Sequence, residues 1–385
     1  MEDTKAHLLS RRNFLKWSLL GLGGASVGAV MFGQQGGAVD YADPAYRYWD
    51  KRSPGGLALE NYLVLCGALA PSAHNTQPWK FRVREQAIDV YVDFQRSLGQ
   101  ADTAHRMKLL SVGCALENIR IAAADLGFRA DIQLADAKQF SLDQRCATIA
   151  LQPDASLGKH PLFAALFERQ TTRAPYDLAP IAADVKQQLA ALNTHADLSL
   201  RWFDSDTELA QLAALNTAAC IAFTENDPAY LDSLNWWRYS RNELLRKRDG
   251  ISIFTSAAPA LIKQYFQYGV SHADMAGDFG KTGEIDLMKQ LFAATPLWGV
   301  ISASASALDL RLQAGQLFER VFLAATARGY KIHAINYVSE SPVHSAQYRQ
   351  SFGLAEPQEL LLMFRLGRAE PCEKSVRQPL QQIIV

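Results

Sequence analysis

The chain has 385 residues, of which 49% are hydrophobic and 20% are charged. This composition supports a packed core and excludes a disordered chain, and the length predicts two compact units or one large duplicated unit. Lysine plus arginine equals aspartate plus glutamate at 39 each, so the positive excess typical of nucleic-acid-binding proteins is missing. The five cysteines form no Cys-x-x-Cys pair, so neither a zinc site nor a dithiol redox motif is indicated.

The first 38 residues resemble an export signal rather than part of the fold. Residues 10–16, Ser-Arg-Arg-Asn-Phe-Leu-Lys, match the twin-arginine pattern, and a moderately apolar run follows from Trp17 to about Phe32. This run is shorter than the ~20 residues of a membrane-spanning helix. We therefore expect a twin-arginine signal peptide over residues 1–38. It implies export of the folded protein to the periplasm by the twin-arginine machinery, with any cofactor already inserted. An uncleaved membrane anchor is the alternative.

Helix and strand patterns alternate along the rest of the chain. Residues 39–56 are polar and interrupted by prolines and glycines, which indicates a linker or an extended arm. A first half, residues 57–157, is predicted to hold helices at 57–69 and 109–126 and strands at 79–83, 88–94, 130–134 and 147–151. A second half, residues 158–385, is predicted to hold helices at 162–168, 209–223, 232–248 and 314–326 and strands at 198–203, 298–302, 330–338 and 359–366. This mixture predicts an α+β fold.

Residues 113–127 and 315–329 form an internal repeat. Five pairs are identical at one constant offset: Gly113/Gly315, Glu117/Glu319, Ala122/Ala324, Ala123/Ala325 and Gly127/Gly329. Each repeat is predicted to be a helix that lies close against a neighbour, because glycine and a run of alanines let two backbones approach. The repeat predicts a duplicated fold with one copy in each half.

A loop dense in hydrogen-bonding side chains lies between the first predicted helix and the first predicted strand. Pro71 ends the helix, and Ser72, His74, Asn75 and Gln77 follow before the strand begins. Such an array can orient a planar heterocycle that has carbonyl groups and ring nitrogens at its edge. The alternative is a capped turn whose polar side chains satisfy only the loop backbone.

Two further segments carry arginines in a suggestive spacing. Arg169 and Arg173 flank Thr171, and two guanidinium groups with a hydroxyl between them can hold one phosphate. A solvated helix end explains the same residues. Near the C-terminus, residues 377–380 read Arg-Gln-Pro-Leu, which in isolation indicates only a loose tail.

Together these segments resemble the nitroreductase superfamily, and in particular its long Acg-like, FMN-binding branch. The matches are Ala-Pro-Ser-x-x-Asn-x-Gln-Pro-Trp at 70–79, Arg-x-Thr-x-Arg at 169–173, Arg-Asp-Gly-Ile at 248–251 and Arg-x-Pro-Leu at 377–380. The resemblance covers roughly residues 57–382. It implies that Ser72 and Asn75 contact FMN from the partner side of a dimer-like interface, and that the basic segments hold its phosphate. The residues that the resemblance makes candidates for FMN binding are Ser72, His74, Asn75, Gln77, Arg169, Gln170, Thr171, Arg173, Asn336 and Arg377.

The order of the motifs is unusual for the superfamily, because the Ser-Asn loop precedes the basic segment. Duplication explains this order if one chain mimics a nitroreductase dimer, with the first half acting as the partner subunit. The second half has no second Pro-Ser-x-x-Asn loop, so one FMN site per chain is expected. The chain also departs from the family at 335–339, Ile-Asn-Tyr-Val-Ser, where a proline often precedes the backbone donor to the flavin; Asn336 is the candidate at this position.

The resemblance implies an FMN-dependent oxidoreductase that transfers a hydride or electrons to or from a small quinone-like or nitroaromatic-like substrate. An exported protein does not meet cytoplasmic NAD(P)H, so a quinol or a redox protein is the expected electron donor, and pairing into a homodimer is a further expectation. The alternative is a non-catalytic protein that sequesters FMN under a closed lid, for which the aromatic residues at 235–239 are candidates. A hydrolase built on Ser72 and His74 is remote, because the two residues are only two positions apart and Ser72 does not lie in a Gly-x-Ser-x-Gly elbow.

Overall fold

A computed structural model describes residues 40–385. The predicted signal peptide therefore lies outside the described residues. The first half contains three helices and four strands: α1 (Leu59–Ala68), β1 (Trp79–Arg84), β2 (Ala87–Val92), α2 (Arg106–Asp125), β3 (Phe128–Leu134), α3 (Ala137–Asp143) and β4 (Arg145–Pro153).

The second half repeats this plan with additional helices. Its strands are β5 (Leu198–Phe203), β6 (Leu297–Ala303), β7 (Lys331–Ile335) and β8 (Glu359–Gly367). Its helices are α4 (Phe163–Glu168), α5 (Ala183–Ala190), α6 (Asp206–Glu225), α7 (Asp227–Leu234), α8 (Arg241–Lys247), α9 (Ala260–Gly269), α10 (His272–Ala276), α11 (Asp278–Ala293), α12 (Leu308–Ala327), α13 (Tyr337–Glu340), α14 (Pro342–Phe352) and α15 (Leu380–Ile383). In the part of the chain that the structure describes, no helix is both long and apolar enough to span a bilayer.

The two halves have the same sheet topology. The first sheet has the order β1-β2-β4-β3 and the second has the order β5-β6-β8-β7, with every pair antiparallel. In each half a 20-residue helix, α2 or α12, connects the second strand to the third. The α+β class and the duplication predicted from the sequence are therefore confirmed.

The helices α2 and α12 pack against each other at the centre of the molecule. A Cβ atom added at Gly113 would lie 2.1 Å from the carbonyl oxygen of Leu312, and one added at Gly315 would lie 2.1 Å from that of Leu110. The two glycines also contact each other. Gly113 and Gly315, like Leu110 and Leu312, are separated by the offset of the internal repeat. The helices thus cross at the repeated glycines in a nearly two-fold arrangement, and the side chains around them form one core shared by both halves.

The segment between residues 40 and 56 is packed on the body. Tyr46, Tyr48 and Trp49 are almost completely buried and join the central core. A short 3-10 helix, Arg47–Asp50, positions these rings. Of the two interpretations of this segment, the packing favours an arm over a free linker.

Two predicted elements differ from the structure. The strand predicted at 330–338 ends at Ile335, because Asn336 leaves the extended conformation (φ −118°, ψ 6°) and α13 begins at Tyr337. The helix predicted at 232–248 is two helices, α7 and α8. The chain turns between them, where Ser240 accepts a hydrogen bond from the backbone N–H of Glu243 and starts α8.

Candidate functional site

The loop that follows α1 has an unusual backbone. Three of its non-glycine residues have left-handed φ values: His74 (48°), Asn75 (53°) and Gln77 (51°). Side chains hold this conformation: Ser72 Oγ accepts a hydrogen bond from the Gln77 N–H at 2.9 Å, and Ser111 Oγ on α2 accepts one from the Ala73 N–H at 3.1 Å. Residues in sparsely populated conformations cluster at functional sites, where the surrounding structure enforces them.

Two buried guanidinium groups converge on the end of α1. Arg169 and Arg377 are each 2% exposed, and both donate to the carbonyl oxygen of Leu69, at 2.7 Å and 2.9 Å. Arg377 also donates to Asn75 Oδ1 at 3.2 Å. Glu319 lies 3.4 Å from Arg169 Nε, and burial raises the pKa of this carboxyl to about 7. Desolvation lowers the pKa of both arginines. Because the pKa of Glu319 is raised, this carboxyl group is only partly ionised at neutral pH and does not balance both guanidinium charges. The remaining positive charge favours binding of a further anion here.

The Ser72–Gln77 loop is also tied to the C-terminal tail and to the end of α8. Gln77 Oε1 accepts from the Gln378 N–H at 2.8 Å, and Gln77 Nε2 donates to the Arg248 carbonyl at 2.9 Å. Gln378 Nε2 donates to the Lys247 carbonyl at 2.8 Å. Three motifs that are widely separated in the sequence thus meet around one loop.

Arg173 faces a different part of the site. Its backbone bridges Ser256, while its guanidinium has no hydrogen-bond or ion-pair partner among residues 40–385. Desolvation lowers the pKa of Arg173. Burial and the nearby charge of Arg173 lower the pKa of His74 to about 4, and burial, Arg365 and Arg173 together lower that of His333. Both imidazoles are therefore neutral at neutral pH, and the charge of Arg173 acts on both of them.

Ser72 and His74 do not form a hydrolase pair. Ser72 Oγ is occupied by the loop backbone, and His74 Nε2 lies 2.8 Å from Ser233 Oγ on α7. A general base with so low a pKa is poorly matched to neutral pH. The geometry thus gives the hydrolase alternative no support.

Several buried polar atoms accept or donate no hydrogen bond within the described chain. Around the candidate residues these atoms are Arg169 Nε, Gln170 Oε1, His333 Nδ1, Asn336 Oδ1 and Arg377 Nε. Thr171 pairs with Ile332 on β7, the strand that ends beside Asn336, so the basic segment and Asn336 belong to one surface. Buried polar groups are nearly always satisfied, so this set of free donors and acceptors indicates a missing polar ligand. A heterocycle with carbonyl and N–H groups at its edge and a phosphate on its side chain fits that set.

A tyrosine and a glutamate lie beside the same surface. The Tyr337 hydroxyl donates to Glu284 Oε1 at 2.7 Å. Burial raises the pKa of both groups, and Tyr337 lies close enough to Arg173 to affect its pKa. This pair can hold a proton near the site.

The sequence did not identify Trp49 as part of the site, and it indicated Glu319 only as a position of the internal repeat. The indole ring of Trp49 lies beneath Arg377, with the guanidinium carbon 4.7 Å from the ring centroid, and Arg169 lies 5.9 Å away. Aromatic density at residues 46–49 was the available signal, but the surrounding prolines and glycines obscured it. Glu319 was visible as an identical position in the repeat, on the apolar face of a helix.

The cysteines and metal ligands add no further centre. Cys66, Cys114, Cys146 and Cys220 are buried free thiols, as expected of small apolar residues, and Cys372 is half-buried. Within residues 40–385, no three His, Cys, Asp or Glu side chains are grouped so as to hold a metal ion.

Comparison with known proteins extends the resemblance. No protein-family model matches the sequence. A Mycobacterium tuberculosis protein whose name, acg, assigns it to the NAD(P)H nitroreductases is 25% identical over 327 residues, which are 82% of this chain and 91% of that protein. The chain is thus similar to a nitroreductase along most of its length. A second M. tuberculosis protein named as an NAD(P)H nitroreductase is 31% identical over 172 residues, 44% of this chain and 47% of the other. A nitroreductase structure with bound FMN from Bacteroides fragilis is 17% identical, covers 56% of this chain and 95% of that chain, and has a TM-score of 0.34.

The sequence similarity to the two M. tuberculosis proteins supports the superfamily that the motifs predicted. The loop, the basic segment and the tail are brought together, with Asn75, Arg169 and Arg377 in contact at the end of α1. Thr171, Arg173 and Asn336 lie on the β7 side of the site.

Proposed function

We propose that this protein is an FMN-dependent oxidoreductase of the nitroreductase type, with one flavin site built from both halves of the chain. The observation that carries this proposal is the meeting of Asn75, Arg169 and Arg377 at the end of α1, although more than 300 residues separate the first from the last. Chance would not bring three family motifs to one desolvated point of positive charge. The similarity to the named nitroreductases agrees with it.

The residues have distinct roles in this proposal. Arg169 and Arg377 hold the FMN phosphate, since their guanidinium groups supply the buried positive charge. Ser72 and Asn75 orient the flavin from the first half, whereas Gln77, whose side-chain amide bonds the backbone of Gln378 and Arg248, holds their loop in place. The other candidates are His74 in the same loop, Gln170 beside Arg169, and Thr171, Arg173 and Asn336 on the β7 side. Bound FMN supplies the hydride or electron transfer chemistry, and the protein supplies orientation and charge.

Arg173 is the residue expected to act on the electronic state of the flavin. A desolvated cation without a protein partner stabilises negative charge on a neighbouring ring more strongly than a solvated one. The Tyr337–Glu284 pair is the proton store beside it, because burial raises the pKa of both groups. His74 is an unsuitable proton donor at neutral pH, because it is already neutral there.

A cleft beside Arg173 is the proposed entrance for the substrate. It measures about 610 Å³, within the usual range for small-molecule sites. Its wall combines small apolar residues such as Ala174, Pro175 and Ala257 with five charged residues, which are Asp177, Lys263, Arg368, Glu370 and Glu373. A planar acceptor such as a quinone or a nitroaromatic compound suits this lining. The twin-arginine pattern supports a periplasmic location, and a quinol or a redox protein is then the electron donor.

Sequestration of FMN is the second candidate function, and one observation favours it. The segment between α7 and residue 251 covers the flavin loop: Ser233 contacts His74, the Gly250 N–H donates to the Asn75 carbonyl at 3.3 Å, and Trp236 Nε1 donates to the Ser97 carbonyl at 2.8 Å. Such a cover would keep acceptors away from the ring.

The test uses the purified full-length chain and its visible spectrum. The protein is reduced anaerobically with dithionite and then mixed with a benzoquinone or with nitrofurazone. We expect a bound flavin that bleaches and is reoxidised by at least one acceptor. Bound flavin that no acceptor reoxidises would favour sequestration, and failure to bind added FMN would refute the site.

A matched pair of arginine variants locates the flavin. Arg173→Gln removes the unpaired cation, and we expect weaker FMN binding and a lower reduction potential of the bound flavin. Arg129→Gln is the control, because Arg129 is exposed and its ion pair with Asp131 is a surface contact of little energetic value. If Arg173→Gln and the control bound FMN with equal affinity and gave the flavin the same reduction potential, Arg173 would not belong to the site.

A further inference from the structure

A second concave surface lies on the other side of the C-terminal tail. It is a cleft of about 500 Å³ lined by eight residues, of which four are basic and one is acidic. The lining residues are Arg96, Arg246, Lys247, Arg248, Asp249, Gln378, Pro379 and Gln382. The cleft is predominantly polar, so its ligand is recognised by charge and hydrogen bonds.

Two of the four basic side chains are already neutralised. Arg96 pairs with Asp249 at 2.5 Å, and Lys247 pairs with Glu243 at 2.8 Å. Asp249 has no remaining charge to offer the cleft, because Arg238 also binds it at 2.6 Å. Arg246 and Arg248 have no hydrogen-bond or ion-pair partner for their guanidinium groups among the described residues. The cleft therefore presents two uncompensated positive charges, two residues apart at the C-terminal end of α8.

The backbone of this region keeps the two arginines at the cleft. Arg248 ends α8 in a left-handed conformation with φ 55°, which directs the chain out of the helix. The carbonyls of Lys247 and Arg248 at the end of α8 accept hydrogen bonds from the side-chain amides of Gln378 and Gln77. The negative end of α8 is thus satisfied by neutral donors, so the arginine side chains are not needed as caps and remain available to a ligand.

The cleft is separate from the proposed phosphate position of FMN. Arg377 and Gln378 are adjacent in the chain, yet their side chains point to opposite sides of the tail. Arg377 donates to Leu69 and Asn75 in the interior, whereas Gln378 donates to Lys247 at the cleft. An anion in the cleft would not use Arg169 or Arg377.

From this arrangement we infer that the cleft binds a diphosphate group, with Arg246 and Arg248 as its principal ligands. Guanidinium groups bind phosphate oxygens through paired, charge-assisted hydrogen bonds, and two free guanidinium groups match the two or more charges of a diphosphate. A single phosphate would engage the pair less completely. The volume accommodates a diphosphate together with an attached organic group. This inference goes beyond the proposed redox function and does not depend on it.

The test is a calorimetric titration of the full-length protein with sodium pyrophosphate at low ionic strength, with flavin absorbance recorded before and after. We expect saturable binding of one pyrophosphate per chain, weaker binding of orthophosphate and no release of FMN. In the double variant R246Q/R248Q, pyrophosphate binding should weaken by about tenfold or more, since each lost ligand is a charge-assisted hydrogen bond. The double variant K138Q/K289Q is the control, because both lysines are exposed and it removes the same charge elsewhere.

Three outcomes would overturn the inference. They are the absence of saturable binding, an equal loss of affinity in the control variant, and release of flavin in proportion to the pyrophosphate bound, which would identify the FMN phosphate position instead. ADP distinguishes the source of the diphosphate: binding at least as tight as that of pyrophosphate indicates a nucleotide, and exclusion of ADP indicates inorganic pyrophosphate. A chain that bound pyrophosphate but no FMN would refute the proposed redox function and leave the cleft assignment intact.

Discussion

The crossing of α2 and α12 at two repeated glycines makes a quantitative prediction about stability. The substitution Gly113→Ala places a Cβ atom 2.1 Å from the Leu312 carbonyl oxygen and 3.0 Å from the Gly315 Cα atom. Both contacts are with backbone, so no side-chain rotation relieves them. The helices must move apart by about 1 Å to restore normal contact, which loosens the core packed around the crossing.

The expected loss follows from two opposing effects. Overpacking a core costs ~1–3 kcal/mol, and a separation along the whole crossing belongs at the upper end of that range. Replacing glycine by alanine inside a helix recovers up to ~1 kcal/mol. We therefore expect Gly113→Ala to lower the free energy of unfolding by about 2 kcal/mol. Gly315→Ala should behave alike, and the double variant should lose less than the sum, because one separation accommodates both Cβ atoms.

Urea denaturation of the full chain, followed by circular dichroism and tryptophan fluorescence, measures this loss. Gly283→Ala is the matched control, because Gly283 also lies inside a helix, α11, and an added Cβ meets nothing within 4 Å. The control should be unchanged or more stable by up to ~1 kcal/mol. If Gly113→Ala were as stable as the control, the close approach of the two helices would be wrong.

Three further predictions concern the loop, the arm and the signal. The pKa of His74 is lowered from 6.5 to about 4, so its contribution to stability is complete above pH 6.5 and is lost as the pH falls towards 4; in His74→Asn, stability should fall less steeply over this interval. Trp49→Ala should lower the free energy of unfolding by ~3–5 kcal/mol, the usual cost of removing a buried tryptophan. Replacing Arg11 and Arg12 by lysine should leave the protein in the cytoplasm, as measured by cell fractionation.

Each of these predictions has a control. His272→Asn alters an exposed histidine and should leave the pH profile of stability unchanged; an unaltered profile in His74→Asn as well would contradict the burial of His74. Leu57 directly follows the arm and is 37% exposed, so a loss in Leu57→Ala as large as that in Trp49→Ala would mean that the arm is not specifically packed. Normal export of the lysine variant would exclude the twin-arginine route.

The sequence was most informative where a local pattern also determines the tertiary contact. The repeat identified Gly113 and Gly315, and these residues form the helix crossing, because only glycine permits such an approach of two backbones. The Ser72–Gln77 loop and the two arginine segments were visible as clusters of polar residues between apolar elements. The prediction that these segments meet at one site depended on the duplication of the fold, and the internal repeat was the evidence for that duplication.

Long-range pairing explains what the sequence could not reveal. His74 contacts Ser233, and the partner of Gln77 is a backbone carbonyl at Arg248; no pattern in either segment points to the other. Tyr337 was predicted within a strand because Tyr330 to Val338 alternates well enough, yet Asn336 ends that strand and places Tyr337 beside Glu284. The burial of the aromatic residues in the arm at 40–56 was not predicted, because the turn-forming residues around them conceal the cluster in the sequence.

The C-terminal tail returns from the second half to the first, where Arg377 contacts Asn75 and the Val385 N–H donates to the Phe81 carbonyl at 2.9 Å. In a homodimer, an equivalent contact exists only while two subunits remain associated, and dilution weakens it. Here the covalent connection fixes the local concentration of one half near the other, so the contact forms in a unimolecular step. The site should therefore remain assembled at nanomolar as well as at micromolar protein concentration. The temperature at which half of the site is lost should also be the same at both concentrations.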